Sequence, residues 1–98
     1  MALRIIVRPL AELDLELAVK WYVLENEKLA EDFLFAFRDA LITVGRLPHG
    51  FQKKYKSVRV FSMKRFPYSV YYFLDSDVLH VIAILHQKRN PKLWKKRK

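Results

Sequence analysis

Residues 67–86 read PYSVYYFLDSDVLHVIAILH. Two runs rich in aromatic and β-branched residues, Pro67–Asp75 and Val78–His86, flank the turn residues Asp75, Ser76 and Asp77, and this pattern predicts a hairpin. Both alternating faces of the second run are apolar, so it is expected inside a sheet and not at an edge. Just upstream, FQKKYKSVRVFSMKRF (Phe51–Phe66) begins polar and turns strand-like over Ser57–Met63. At the other end of the chain LRIIVR, Leu3–Arg8, is a further short β-branched run, closed by Pro9.

Between these strands the period changes. Pro9 suits the first turn of a helix, where its missing N–H costs nothing. Leu10, Leu13, Leu17, Trp21 and Leu24 then recur at steps of three and four, with Glu12, Glu16 and Lys20 opposite, predicting an amphipathic helix that has the large residues as its apolar face and ends near Asn26. Leu29, Ala30, Phe33, Leu34, Phe37, Ala40, Leu41 and Val44 carry the same period through Gly45, and the short gap predicts an antiparallel helical hairpin. Gly45, Pro48 and Gly50 end it. The expected order is β-α-α-β-β-β, an α+β fold with the helical hairpin on one face of a small, mostly antiparallel sheet. One domain is expected over residues 1–98, with 95–98 as a basic tail.

Length and composition narrow the function. An apolar fraction of 52% in 98 residues suits a folded globule with a modest core. With no cysteine there are no disulfides, thiolate metal sites or cysteine nucleophiles, and with only two glycines there is no glycine-rich phosphate loop. The N-terminus lacks a long apolar segment and charges interrupt every candidate span, so a cytoplasmic protein without membrane contact is expected. The net charge of +9 is unevenly placed. Residues 1–45 hold five Lys or Arg against eight Asp or Glu, a balance of −3, and residues 46–98 hold fourteen against two, a balance of +12. A field of that kind attracts phosphate backbones or an acidic protein.

The catalytic inventory is thin. His49, His80 and His86 do not stand at the spacing of a zinc pair, so no metal and no cofactor are expected, and His80 is expected to be a packed or surface strand residue. Basic and aromatic groups near the sheet remain: Lys53, Lys54, Lys56, Lys64, Lys88 and Trp94 as candidates for binding a nucleic acid or another target. Metal-free RNA cleavage needs a proton-transfer group and cations on the phosphate, for which His86, with Arg59, Arg65 and Arg89, are the candidates. Equally, His86 can simply end a strand while the arginines guard a sheet edge. Trp94, after a proline, is expected to anchor the chain end in the core in preference to stacking on a base.

The motifs WYVLENEKLAEDFLFAF, RLPHG, VRVFSMKRFPYSVYY and HQKRNPKLW, in this order and spacing, resemble the RelE/ParE superfamily of bacterial toxins from type II toxin–antitoxin systems. The resemblance covers nearly the whole chain and is most specific at Phe66-Pro67-Tyr68 and at His86, Arg89, Pro91 and Trp94. It implies a small growth-inhibiting toxin held inactive by a cognate antitoxin. RelE-like members cut mRNA at the ribosome, several with a tyrosine near the C-terminus, whereas ParE-like members poison DNA gyrase and are not known as catalysts. Here no tyrosine follows Tyr72, and the HQKRNPKLW ending looks like that of ParE-like and plasmid-stabilisation proteins, although His86 could stand in for the tyrosine. The expected function is therefore a ParE-like toxin. A RelE-like endoribonuclease and a non-toxic basic nucleic-acid-binding module are the alternatives.

Overall fold

The computed structural model describes residues 3–89 and 92–97; Pro91 of the closing motif and Lys98 of the basic end lie outside them. The chain runs β1 (Arg4–Val7), α1 (Pro9–Glu25), α2 (Glu27–Arg46), β2 (Lys53–Tyr55), β3 (Val58–Ser62), β4 (Tyr68–Asp75) and β5 (Val78–His86), and closes with a 3₁₀ turn at Leu93–Lys96. The sheet order is β1-β5-β4-β3-β2, with β1 parallel to β5 and the other neighbours antiparallel. This is the expected α+β arrangement with one strand more, because the polar KKY of β2 pairs briefly with β3 before the turn at Lys56. β5 is interior, as its two apolar faces require.

Asn26 alone separates the helices and serves both. It closes α1 by donating its backbone N–H to the Tyr22 carbonyl, and its side chain caps α2 by accepting from the N–H groups of Lys28 (2.8 Å) and Leu29 (3.4 Å). Below the hairpin, Tyr22 of α1, Phe33 of α2, and Phe66 and Tyr68 at the start of β4 form one aromatic cluster. Phe33 lies 5.1 Å from Tyr22 and 5.2 Å from both Phe66 and Tyr68, ring centre to ring centre. The Phe66-Pro67-Tyr68 motif is thus the anchor that joins both helices to the sheet.

α1 reverses the sequence expectation. Its buried residues are Ala11, Ala18 and Tyr22, with Leu15 and Val19 packed against the core, whereas Leu10, Leu13, Leu17, Trp21 and Leu24 are 48–86% exposed. Both faces of α1 are apolar, and spacing alone cannot rank them. The aromatic cluster fills the space over the sheet, so the alanine face is the one that lets the helix approach β5, and the leucine face is left in water.

A bulge resets the central hairpin. Tyr71 pairs with Ala83 and Tyr72 with Val81, so Ile82 is the extra residue and the alternation of β5 changes phase there. Leu79, Val81 and Ile84 pack toward the helices, while Ile82, Ala83 and Leu85 join Val58, Tyr71, Phe73 and Trp94 in a second cluster on the far face.

β1 covers β5 only from Val78 to Val81. Beyond it, the Asp14 carboxylate accepts the Ile84 N–H at 3.0 Å, and Arg97 donates to both Asp14 oxygens and, at 3.2 Å, to the Ile82 carbonyl. Both side chains of this ion pair are nearly buried, at 13% and 11% exposure. The basic end is therefore not all solvated tail: Lys95 and Lys96 are exposed, but Arg97 ties the chain end to α1 across the strand edge. Asp14→Ala leaves a cation and a strand N–H without their partner and is expected to cost about 3 kcal/mol. Urea unfolding measures it, and Asp14→Leu/Arg97→Met should recover part of the loss because no lone charge stays behind.

Candidate functional site

Three surfaces carry the groups that can do chemistry or bind. The first is a cleft of about 320 Å³ between α1 and the end of β5, lined by Leu17, Trp21, Tyr68, His86, Arg89 and Leu93 among others. Because of the bulge, His86 pairs with Tyr68 on the helix side of the sheet and meets its ring edge-on at 5.3 Å. Arg89 folds back to donate to the Tyr68 hydroxyl at 3.2 Å and lies 4.8 Å over the Trp21 ring. His86 Nδ1 accepts the backbone N–H groups of Lys88 (3.1 Å) and Arg89 (3.2 Å), which fixes the bend after β5. Burial, followed by the Arg89 and Lys88 cations, lowers the His86 pKa from 6.5, so the ring is neutral at pH 7. Burial raises the Tyr68 pKa, only partly opposed by Arg89, so its phenol stays protonated.

The other proposed phosphate-binding cations are elsewhere. Arg59 on β3 donates to the His49 and Phe51 carbonyls at 3.1 and 2.7 Å, while the Tyr72 hydroxyl holds the Pro48 carbonyl at 2.8 Å. These bonds pin the RLPHG loop. Arg65 pairs with Asp32 of α2 at 3.0 Å and lies 5.5 Å over Phe66. Arg59 pairs with Tyr72, four residues along β4 from the Tyr68 that faces His86, a separation of about 13 Å at ~3.3 Å per residue. His86 and Arg89 are therefore brought together, and Arg59 and Arg65 are not. His80 packs on Phe73 at 4.8 Å, with Arg8 Nε donating to its Nδ1, as a strand histidine should.

The second surface lies on the far face of the sheet. A concavity of about 420 Å³ is lined by Gln52, Lys54, Val60, Ser62, Ser69, Tyr71, Gln87, Lys92, Trp94 and Lys95. A second, of about 300 Å³, takes in Tyr55, Lys56, Val58 and again Trp94 and Lys95. Trp94 is buried and stacked on Tyr71 at 5.4 Å, so it forms the ridge between the two and its ring is not available to a base. Of the basic candidates, Lys54 and Lys56 stand here, Lys53 is exposed opposite Arg59, Lys64 lines a groove beside α2, and Lys88 follows His86. Sequence inspection passed over Tyr55, Gln52, Ser62, Ser69, Lys92 and Lys95. No two-residue period marks them, because Gln52–Lys54 is polar throughout and Ser62 follows the apolar Val60 and Phe61.

The third is the open α1 seam, Leu10 to Leu24. Among the described residues no group of three or more His, Asp or Glu could hold a metal ion, and no helix is long and apolar enough to cross a membrane.

A family profile described as the ParE toxin of type II toxin–antitoxin systems, parDE, matches residues 5–91. The chain belongs to the ParE toxin family. Of the solved structures it resembles, one titled as the chromosomal ParDE toxin–antitoxin system from P. aeruginosa shares the fold at 20% identity and a TM-score of 0.66, over 87% of this chain and 96% of that one. No protein of curated function matches it. The resemblance drawn from the motifs thus holds at the ParE-like branch.

The neutral state of His86 is directly testable. Its C–H resonances should titrate below 6.5, and Arg89→Ala should move the midpoint up by removing a cation. Since the folded pKa is the lowered one, this histidine's contribution to stability is complete above pH 6.5 and is lost as the pH falls through its folded pKa. NMR titration of wild type and variant measures both midpoints.

Proposed function

We propose that this ParE-family chain is a growth-inhibiting toxin of the bacterial cytoplasm, neutralised by a cognate antitoxin, and that its target is DNA gyrase. The observation that carries this reading is the separation of two surfaces: an exposed apolar seam on α1 and a lysine-lined face across the sheet. A protein that must meet both an inhibitor and a target has use for two such faces.

The seam suits a helical inhibitor. Its residues stand at i, i+3, i+7, i+11 and i+14, a stripe about 21 Å long at ~1.5 Å per residue, with Arg89 beside Trp21 at one flank. An amphipathic helix of about four turns with an acidic flank would bury the leucines and face that arginine. Covering five half-exposed large side chains supplies several kcal/mol, on the order of 1 kcal/mol each for half of a full burial.

The ribonuclease alternative loses ground on geometry. It needs His86, Arg89, Arg59 and Arg65 about one phosphate, yet Arg59 and Arg65 are engaged in the RLPHG loop and at Asp32. Gyrase is favoured by the absence of a tyrosine after Tyr72 and by the ParE-family match.

Inducing the chain alone should arrest growth, and co-expression of the protein encoded beside it should restore growth. Leu17→Glu/Trp21→Glu is expected to abolish that rescue, weakening the complex by roughly 100-fold or more, while growth arrest persists. Purified gyrase should lose supercoiling activity and accumulate cleaved DNA. Codon-positioned cuts in cellular mRNA with gyrase unaffected would overturn the target assignment, and unimpaired growth at confirmed soluble expression would overturn the toxin reading itself.

A further inference from the structure

The far face of the sheet carries groups that neither the fold nor the seam on α1 accounts for. Lys54 on β2, Lys56 in the turn after it, and Lys92 and Lys95 about the 3₁₀ turn all border the two adjoining concavities. No carboxylate lines either one among the described residues. The acids of the β4–β5 turn begin at Asp75, four residues beyond Tyr71, or about 13 Å along the strand at ~3.3 Å per residue. Four cations gathered without counter-charge repel one another, and a polyanion relieves that cost.

Neutral groups on the same face match a nucleic acid better than they match a carboxylate-bearing peptide. The Ser62 and Ser69 hydroxyls lie 3.2 Å apart in the larger concavity, beside the carboxamides of Gln52 and Gln87. Hydroxyls and carboxamides donate to phosphate oxygens and both donate to and accept from base edges. Tyr55, on the edge strand β2, is 56% exposed and lies 6.4 Å from the buried Trp94. It presents an aromatic surface beside the lysine track, the combination with which unpaired bases are held. The support is also rigid: Trp94 stacked on Tyr71 ties the Lys92–Lys95 segment to the sheet, and the Arg97–Asp14 pair closes the end of the chain. Few of the contacts therefore have to be ordered on binding.

We infer that this face binds single-stranded nucleic acid, its backbone along Lys54, Lys56, Lys92 and Lys95 and a base against Tyr55. A single strand is favoured over a duplex because an exposed ring can stack only on an unpaired base. Lysines are point charges without the bidentate fork that reads guanine, so little sequence preference is expected. The inference goes beyond the toxin reading and stands whether or not gyrase is the target.

The test is fluorescence anisotropy of the full chain with a fluorescein-labelled 12-nucleotide oligothymidine at 50 to 200 mM salt. Four phosphate contacts predict a slope of log affinity against log salt near −3, from about −0.7 per contact. Lys54→Glu/Lys95→Glu should weaken binding at least tenfold and flatten the slope. Tyr55→Ala should weaken binding with the slope unchanged, since it removes stacking and no charge. Lys64→Glu/Arg38→Glu, on the α2 side, removes the same charge and is the control for overall charge; it should alter affinity far less than Lys54→Glu/Lys95→Glu. All these side chains are exposed, and thermal melting confirms that each variant is folded. Absence of binding at 50 mM salt, equal affinity for a duplex or an oligoglutamate of the same length, or equal weakening by Lys64→Glu/Arg38→Glu would each overturn the inference.

Discussion

The structure depends on the packing of four aromatic rings, Tyr22, Phe33, Phe66 and Tyr68, at the junction of both helices with the sheet. Rings at 5 to 6 Å in tilted and edge-on contact contribute about 0.5–1.5 kcal/mol per pair beyond the area they bury. More important is their volume. They set how far the helical hairpin stands from the sheet, and α1 can then lie against β5 only by its alanine face. The exposure of Leu10, Leu13, Leu17, Trp21 and Leu24 follows from that choice.

The same junction ties the core to the first cleft. Tyr68 holds Phe33 and Tyr22 on one side and receives Arg89 on its hydroxyl, while Arg89 in turn covers Trp21 at the edge of the seam. His86 is locked here as a neutral acceptor of two backbone N–H groups. The closing HQKR segment therefore has a structural reason for its residue types: His86 fixes the bend after β5 through two backbone N–H groups and Arg89 packs back on Tyr68 and Trp21, while Trp94 docks on the far side of the sheet. Burial of Trp94 then makes a ridge between two basic concavities without itself being a binding group.

Motif order and spacing made the family legible, because Phe66-Pro67-Tyr68 and the RLPHG loop stand at defined places in the packing and hydrogen bonding of the fold. Tyr68 completes the aromatic cluster, and the loop is held by Arg59 and Tyr72 through its carbonyls. Site residues were less legible. Arg59 and Arg65 look like free cations in sequence and are spent on a loop and on Asp32, whereas Lys92 and Lys95 look like tail and border a concavity. A formal charge in a sequence carries no record of its partner.

The sequence by itself determined both helices and every strand but the three-residue β2, their order, the interior position of β5 and the separation of charge between the two halves, since each rests on local periodicity or on counting. Only the tertiary structure decided which of two apolar faces of α1 is buried, because that depends on the volume of rings supplied by α2 and β4. It alone decided the faces of the central hairpin as well. Strict alternation would put His80 and His86 on one side of β5, but the bulge at Ile82 sends them to opposite sides, and a single extra residue opposite a strand leaves no mark in hydrophobic pattern.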